Sequence, residues 1–177
     1  PRMSAMNGFF QRQLEIYAGY HRDERNCVTH IFGIPIIFLA VVLPLSLWPI
    51  TLFGIPANLG MALVVPALIV WLALDFAIGL AISVAVVLLL LAATVIASQV
   101  SGPAVWFIAA GLFIAGWALQ IIGHASFEHR KPALLDNPMH MLIGPMFIMA
   151  KLFVALGFRD DLAPAMQSRP RDAFPRP

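Results

Sequence analysis

Between Arg25 and Arg130 the chain contains no lysine and no arginine, and between Glu24 and Glu128 its one acidic residue is Asp75. Four apolar runs fill that interval, at residues 31–50, 56–74, 76–98 and 103–123. Each is close to the roughly 20 residues that a helix needs to cross a hydrocarbon core of about 30 Å. Breakers separate them: Gly54 and Pro56, then Asp75, then Ser101, Gly102 and Pro103. Only 11% of the residues are charged, against about 25% in a soluble domain. The mean hydropathy of +0.86 puts the chain in the membrane class. Strands are not expected, because an open sheet edge in lipid leaves backbone groups unpaired.

A fifth apolar run, 139–158, is interrupted by Gly144 and Pro145 and carries Lys151. It reads as an interfacial or re-entrant helix, with a fifth span as the alternative. The expected fold class is therefore all-α: an integral membrane bundle of four transmembrane helices plus that C-terminal helix. Residues 1–158 make one membrane-embedded domain. The tail, 159–177, is rich in proline and arginine and reads as disordered.

The basic residues set an orientation. They cluster before Arg25, at 130 and 131, and from 151 onward. The positive-inside rule then places the N-terminus, the 124–138 segment and the tail in the cytoplasm, which four crossings satisfy. The membrane fits a bacterial inner membrane, or the endoplasmic reticulum in a eukaryote. A net charge of +2 gives no case for nucleic acid. Cys27 is the only cysteine, so no internal disulfide forms. The five histidines, at 21, 30, 124, 129 and 140, all fall at the cytoplasmic ends of the runs, and so does the turn at Asp75.

Two constellations carry chemistry. The first is His21, Asn26 and His30. Nine residues on one straight helix put His21 and His30 half a turn out of phase, so they converge only if the backbone breaks near 23–25. Asn26 and His30, four apart, share a face. The second is Gln120, His124 and Glu128, a polar stripe at the end of an apolar run, with Gly123 allowing close approach. Taken alone, the first set reads equally well as polar residues meeting lipid headgroups. For the second set a helix end exposed to water is the weaker reading. His129 reads as part of a solvated basic loop. His140 reads as a helix-start residue or a further ligand. Asp75 reads as a helix N-cap or as a residue orienting a histidine.

Clustered imidazoles with a nearby carboxylate suit iron, zinc or copper rather than calcium or magnesium. The candidates are a non-haem Fe(II) oxygenase, an electron carrier with haem between His30 and His124, a zinc hydrolase, and a scaffold or transporter without metal.

The stretches YHRDERNCVTHIFGIP and QIIGHASFEHRKPALLDNP resemble the 2-hydroxy fatty acid dioxygenase family, over nearly the whole chain. The resemblance implies Fe(2+)-dependent α-oxidation of a 2-hydroxy long-chain fatty acid with O2, among membrane lipids. It implies metal ligation by His21, His30 and His124, with Asn26 and Glu128 at the family's other polar positions. Glu128 is then the fourth ligand or a catalytic neighbour, and His140 and Asp75 are possible additional or supporting residues. Arg130 or Lys131 would guide the substrate carboxylate.

Overall fold

In a computed structural model, the structure describes residues 8–129 and 132–167. Seven α-helices and one short hairpin follow in chain order: α1 (Gly8–Ala18), α2 (Glu24–Leu45), β1 (Pro49–Leu52), β2 (Ile55–Asn58), α3 (Leu59–Leu74), α4 (Phe76–Gln99), α5 (Gly102–Gly123), α6 (His140–Ala155) and α7 (Ala163–Gln167). Among the described residues, three helices are long and apolar enough to cross a membrane: α2, α4, and α5 with its extension to Glu128. Their outward faces carry large apolar side chains such as Phe32, Leu88, Phe107 and Ile114. So much contiguous apolar surface suits contact with lipid.

The long antiparallel pair α2 and α5 forms the centre. A side chain at Gly116 would meet the backbone nitrogen of Ile37 at 3.1 Å, and one at Gly123 would run into Asn26 and Thr29. Small residues at these crossings let the two backbones close up, as they do between membrane helices generally. At one end of the pair Trp48 and Trp106 lie edge to face, 6.0 Å apart. The histidines lie at the other end. From His30 to the end of α2 at Leu45 the helix rises about 22 Å, most of the thickness of a hydrocarbon core.

The helices α3 and α4 pack beside this pair and turn at Asp75. The Asp75 carboxylate caps α4 by accepting the Ile78 N–H at 3.0 Å, as a helix N-cap should. It also pairs with the Arg159 guanidinium, at 3.0 and 2.9 Å. Trp71 donates its indole N–H to the Leu142 carbonyl at 2.9 Å, which fastens the end of α3 to α6. Below the bundle, α1, α6 and α7 pack together. Their fully buried contributors include Phe10, Leu14, Ile143, Met146 and Phe147.

Three expectations need correction. Residues 49–58 form a hairpin rather than the ends of two spans. Phe53 and Gly54 both have positive φ, 51° and 79°, the combination of a two-residue turn whose twist suits paired strands. The second apolar run then yields a helix of 16 residues. The Asn58 side chain accepts the Met61 N–H at 3.0 Å and so starts α3 at Leu59. Finally, residues 160–167 are ordered in helical turns. Leu162 and Ala165 are buried there, and Arg159 is clamped between Asp75 and Asp161. Residues 168–177 lie outside the described residues.

Candidate metal centre

His21 follows α1 and precedes α2. The break between the two helices falls at Gly19–Asp23. Asp23 caps α2 by accepting the Arg25 N–H at 2.8 Å. This break lets His21 fold back onto His30, which projects from the second turn of α2. His124 arrives from the end of α5, one turn beyond Gln120. One donor atom from each of the three lies within 4.8 Å of the other two, and all three residues are buried. Their ring centroids stand 4.5 Å (21 to 30), 4.8 Å (21 to 124) and 5.0 Å (30 to 124) apart.

The hydrogen bonds fix the tautomers of two rings. His21 Nδ1 faces the Tyr17 carbonyl at 3.0 Å. His30 Nδ1 faces the Asn26 carbonyl at 2.9 Å. A carbonyl oxygen only accepts, so each Nδ1 carries the proton and donates it. Both neutral rings then present an Nε2 lone pair, and the two Nε2 atoms are 3.1 Å apart. Two lone pairs at that distance repel unless a positive charge lies between them. Two imidazole nitrogens bound at about 2.1 Å to one first-row ion stand roughly 3.0–3.4 Å apart for bond angles of 90–109°. His124 Nδ1 is buried, with no hydrogen-bond partner among the described residues. The donor set therefore fits a transition-metal ion, and the carbonyl partners are those that metal-bound histidines usually have. Burial, then the closeness of a second imidazole, His30, holds the pKa of His21 well below the ordinary imidazole value. At neutral pH this ring offers a lone pair without first releasing a proton.

Around these rings lies a supporting layer. After Gly123 the helix widens into a π turn, His124–Glu128. His129 closes it by donating its N–H to the His124 carbonyl, in a left-handed conformation with φ 51°. One-turn π segments recur at functional sites. The turn carries Glu128 across to α2, where Oε1 accepts the Asp23 N–H at 2.9 Å and the Asn26 side-chain N–H at 3.2 Å. Glu128 thus ties together the His21 loop, the start of α2 and the end of α5. Tyr17 stacks flat on His21, with centroids 4.1 Å apart and planes 9° apart. Tyr17 stands four residues before His21, one helical turn away, and that spacing is the sequence signal for the stack.

Other candidates sit elsewhere. His140 is buried at the start of α6, against the rings of Tyr17 and Tyr20, and is not one of the three grouped donors. His129 is exposed. Asp75 is engaged by Ile78 and Arg159. Arg130 and Lys131 lie outside the described residues.

A cavity of about 380 Å³ opens beside the histidines, between α2, α3, α5 and α6. His30, His124, His140 and Gln120 line one end of it, while Phe38, Val41, Leu63 and Val64 belong to its apolar remainder. The buried amide nitrogen of Gln120 has no hydrogen-bond partner among the described residues.

Comparison with known proteins places the chain in a family. No solved structure matches the chain. A 58-residue segment is 43% identical to the 2-hydroxy-palmitic acid dioxygenase MPO1 of Saccharomyces cerevisiae. That segment covers 32% of this chain and 33% of the yeast protein. Residues 8–156 match the family described as 2-hydroxy-palmitic acid dioxygenase Mpo1-like. That match takes in α1 to α6 and every residue of the histidine cluster, and the chain belongs to the Mpo1-like family.

Proposed function

We propose that this chain is a membrane-embedded, Fe(II)-dependent dioxygenase that shortens 2-hydroxy fatty acids by one carbon. The observation that carries the reading is the pair of histidine Nε2 atoms 3.1 Å apart, with His124 beside them, next to an apolar cavity. The family and the yeast relative's name supply the reaction class. In the overall change, a 2-hydroxy acid and O2 give an acid one carbon shorter, CO2 and water. The carboxyl carbon leaves, the C1–C2 bond breaks, and no external reductant is needed. Bound Fe(II) supplies the redox chemistry that lets ground-state O2 react.

The chain's own residues do the rest. His21, His30 and His124 hold the ion, and Glu128 and Asn26 hold the histidines. The apolar cavity takes the acyl chain, where each buried CH2 contributes about 0.8 kcal/mol. The orphaned Gln120 amide meets a substrate oxygen, which removes the cost of an unpaired buried donor. A porphyrin between His30 and His124 is disfavoured, because His21 already occupies the space beside His30. We further propose four crossings, with α3 as the short one, and the histidines at the cytoplasmic rim.

Elemental analysis of purified protein, paired with oxygen uptake on 2-hydroxypalmitic acid, tests this. About one iron per chain, no Soret band and a product one carbon shorter are expected. Stoichiometric zinc without oxygen uptake, or a Soret band, would overturn the proposal.

A further inference from the structure

His21 also borders a second cavity, which shares no lining residue with the apolar one. Its volume is about 690 Å³, and His21, Cys27 and Lys151 line it, with Arg22 and Glu24 among its other residues. Arg22 and Glu24 are exposed and of opposite sign, whereas Lys151 is half-buried. The Lys151 ammonium reaches toward the cluster. It lies 3.1 Å from Cys27 Sγ and 5.7 Å from the centroid of the Phe147 ring, which itself packs 5.6 Å from the His21 ring. Among the described residues, no carboxylate lies within ion-pair distance of Lys151.

This arrangement is electrostatically incomplete. A thiol is a weak acceptor and does not neutralise an ammonium. A metal ion among the histidines would add a second positive charge nearby, and the two would repel. An anion between them would replace that one repulsion with two attractions. A 2-hydroxy acid brings one, on the carbon next to the one that bears its hydroxyl.

We propose that Lys151 binds the substrate carboxylate, and that the second cavity is the headgroup chamber of the site. This deepens the dioxygenase reading and rests on it. The substrate then straddles the cluster: its carboxylate faces Lys151, and its methylene chain runs into the apolar cavity past Gln120. Lys151 is a specificity-determining residue in this arrangement. It selects free acids over uncharged esters and amides, and it leaves metal binding to the histidines.

The test uses the intrinsic fluorescence of Trp71 and Trp117, which line the acyl cavity, in full-length, iron-loaded protein in detergent. Wild type, Lys151→Met and Lys151→Arg are titrated with 2-hydroxypalmitic acid and with its primary amide. Wild type should bind the acid about tenfold or more tightly than the amide. Lys151→Met should lose that preference by weakening acid binding alone, with iron content unchanged. Lys151→Arg should restore most of it. A wild type with no preference for the acid would overturn the proposal. So would a Lys151→Met protein that keeps the preference, or one that loses both ligands equally. Oxygen uptake measured on the same samples separates the two claims. Wild type that binds the acid selectively but consumes no oxygen sinks the dioxygenase reading and leaves Lys151 as a carboxylate site.

Discussion

At the scale of single residues, the site depends on which nitrogen of each ring holds a proton. The Tyr17 and Asn26 carbonyls decide this for His21 and His30, so a replacement must lose a donor that has been pre-aimed. His21→Gln, His30→Gln and His124→Gln should each reduce bound metal from near stoichiometric to trace, measured by elemental analysis of the folded variant. Retention of full metal content by any one of them would remove that residue from the ligand set. Glu128 works one step further out. Glu128→Ala leaves the Asp23 N–H and the Asn26 side chain without their acceptor, and should weaken metal affinity about 10–100-fold in a chelator competition. Glu128→Gln keeps an acceptor oxygen and should fall between Glu128→Ala and wild type. The convergence of His21 on His30 was legible beforehand. The nine-residue separation of His21 and His30 demands a broken helix, and the break lies a few residues earlier than expected. The destination of Glu128 was not legible: a stripe spaced by 3.6 residues assumes an α-helix, and the π turn re-aims its last member.

Elements add a second kind of constraint, because the ligands arrive on helices that must touch. The crossing of α2 and α5 at Gly123 sets the distance between His30 and His124. A methyl group there would collide with Thr29 and Asn26, the residues that hold the first turns of α2. Gly123→Ala should therefore lower metal affinity about tenfold or more while leaving helix content unchanged. Circular dichroism and chelator competition on one preparation check both halves. Equal affinities would show that the crossing has slack. The long apolar elements were readable from hydropathy alone, since lipid imposes one solution on a backbone without water. The hairpin was not, because Phe53–Gly54 is not one of the usual asparagine–glycine or aspartate–glycine turns. Nor was the ordered segment at 160–167, where proline and arginine suggest disorder. One guanidinium held by two carboxylates, Asp75 and Asp161, outweighs that composition.

Across the whole molecule, the charge map places polar chemistry at one rim and leaves the opposite rim to aromatic residues. Every contact of the histidines, Asp75 and Arg159 described above belongs to that polar rim. What no periodicity could reveal is the empty space: helices that read as uniformly apolar enclose a cavity lined from His30 to Val42 along α2, about 18 Å of helix rise. Its length should set the range of acyl chains accepted. Ala67 lines the cavity from α3, and a phenyl ring there would fill part of its bore without touching a ligand residue. Ala67→Phe should therefore raise KM for 2-hydroxypalmitic acid about tenfold or more, through loss of buried methylene contacts. KM for 2-hydroxyoctanoic acid should stay within about twofold, because its shorter tail stops before the obstruction. Kinetics on the two acids, with iron content measured alongside, decide the matter. If both acids lose equally, the acyl chain lies elsewhere; if neither does, the cavity does not carry it.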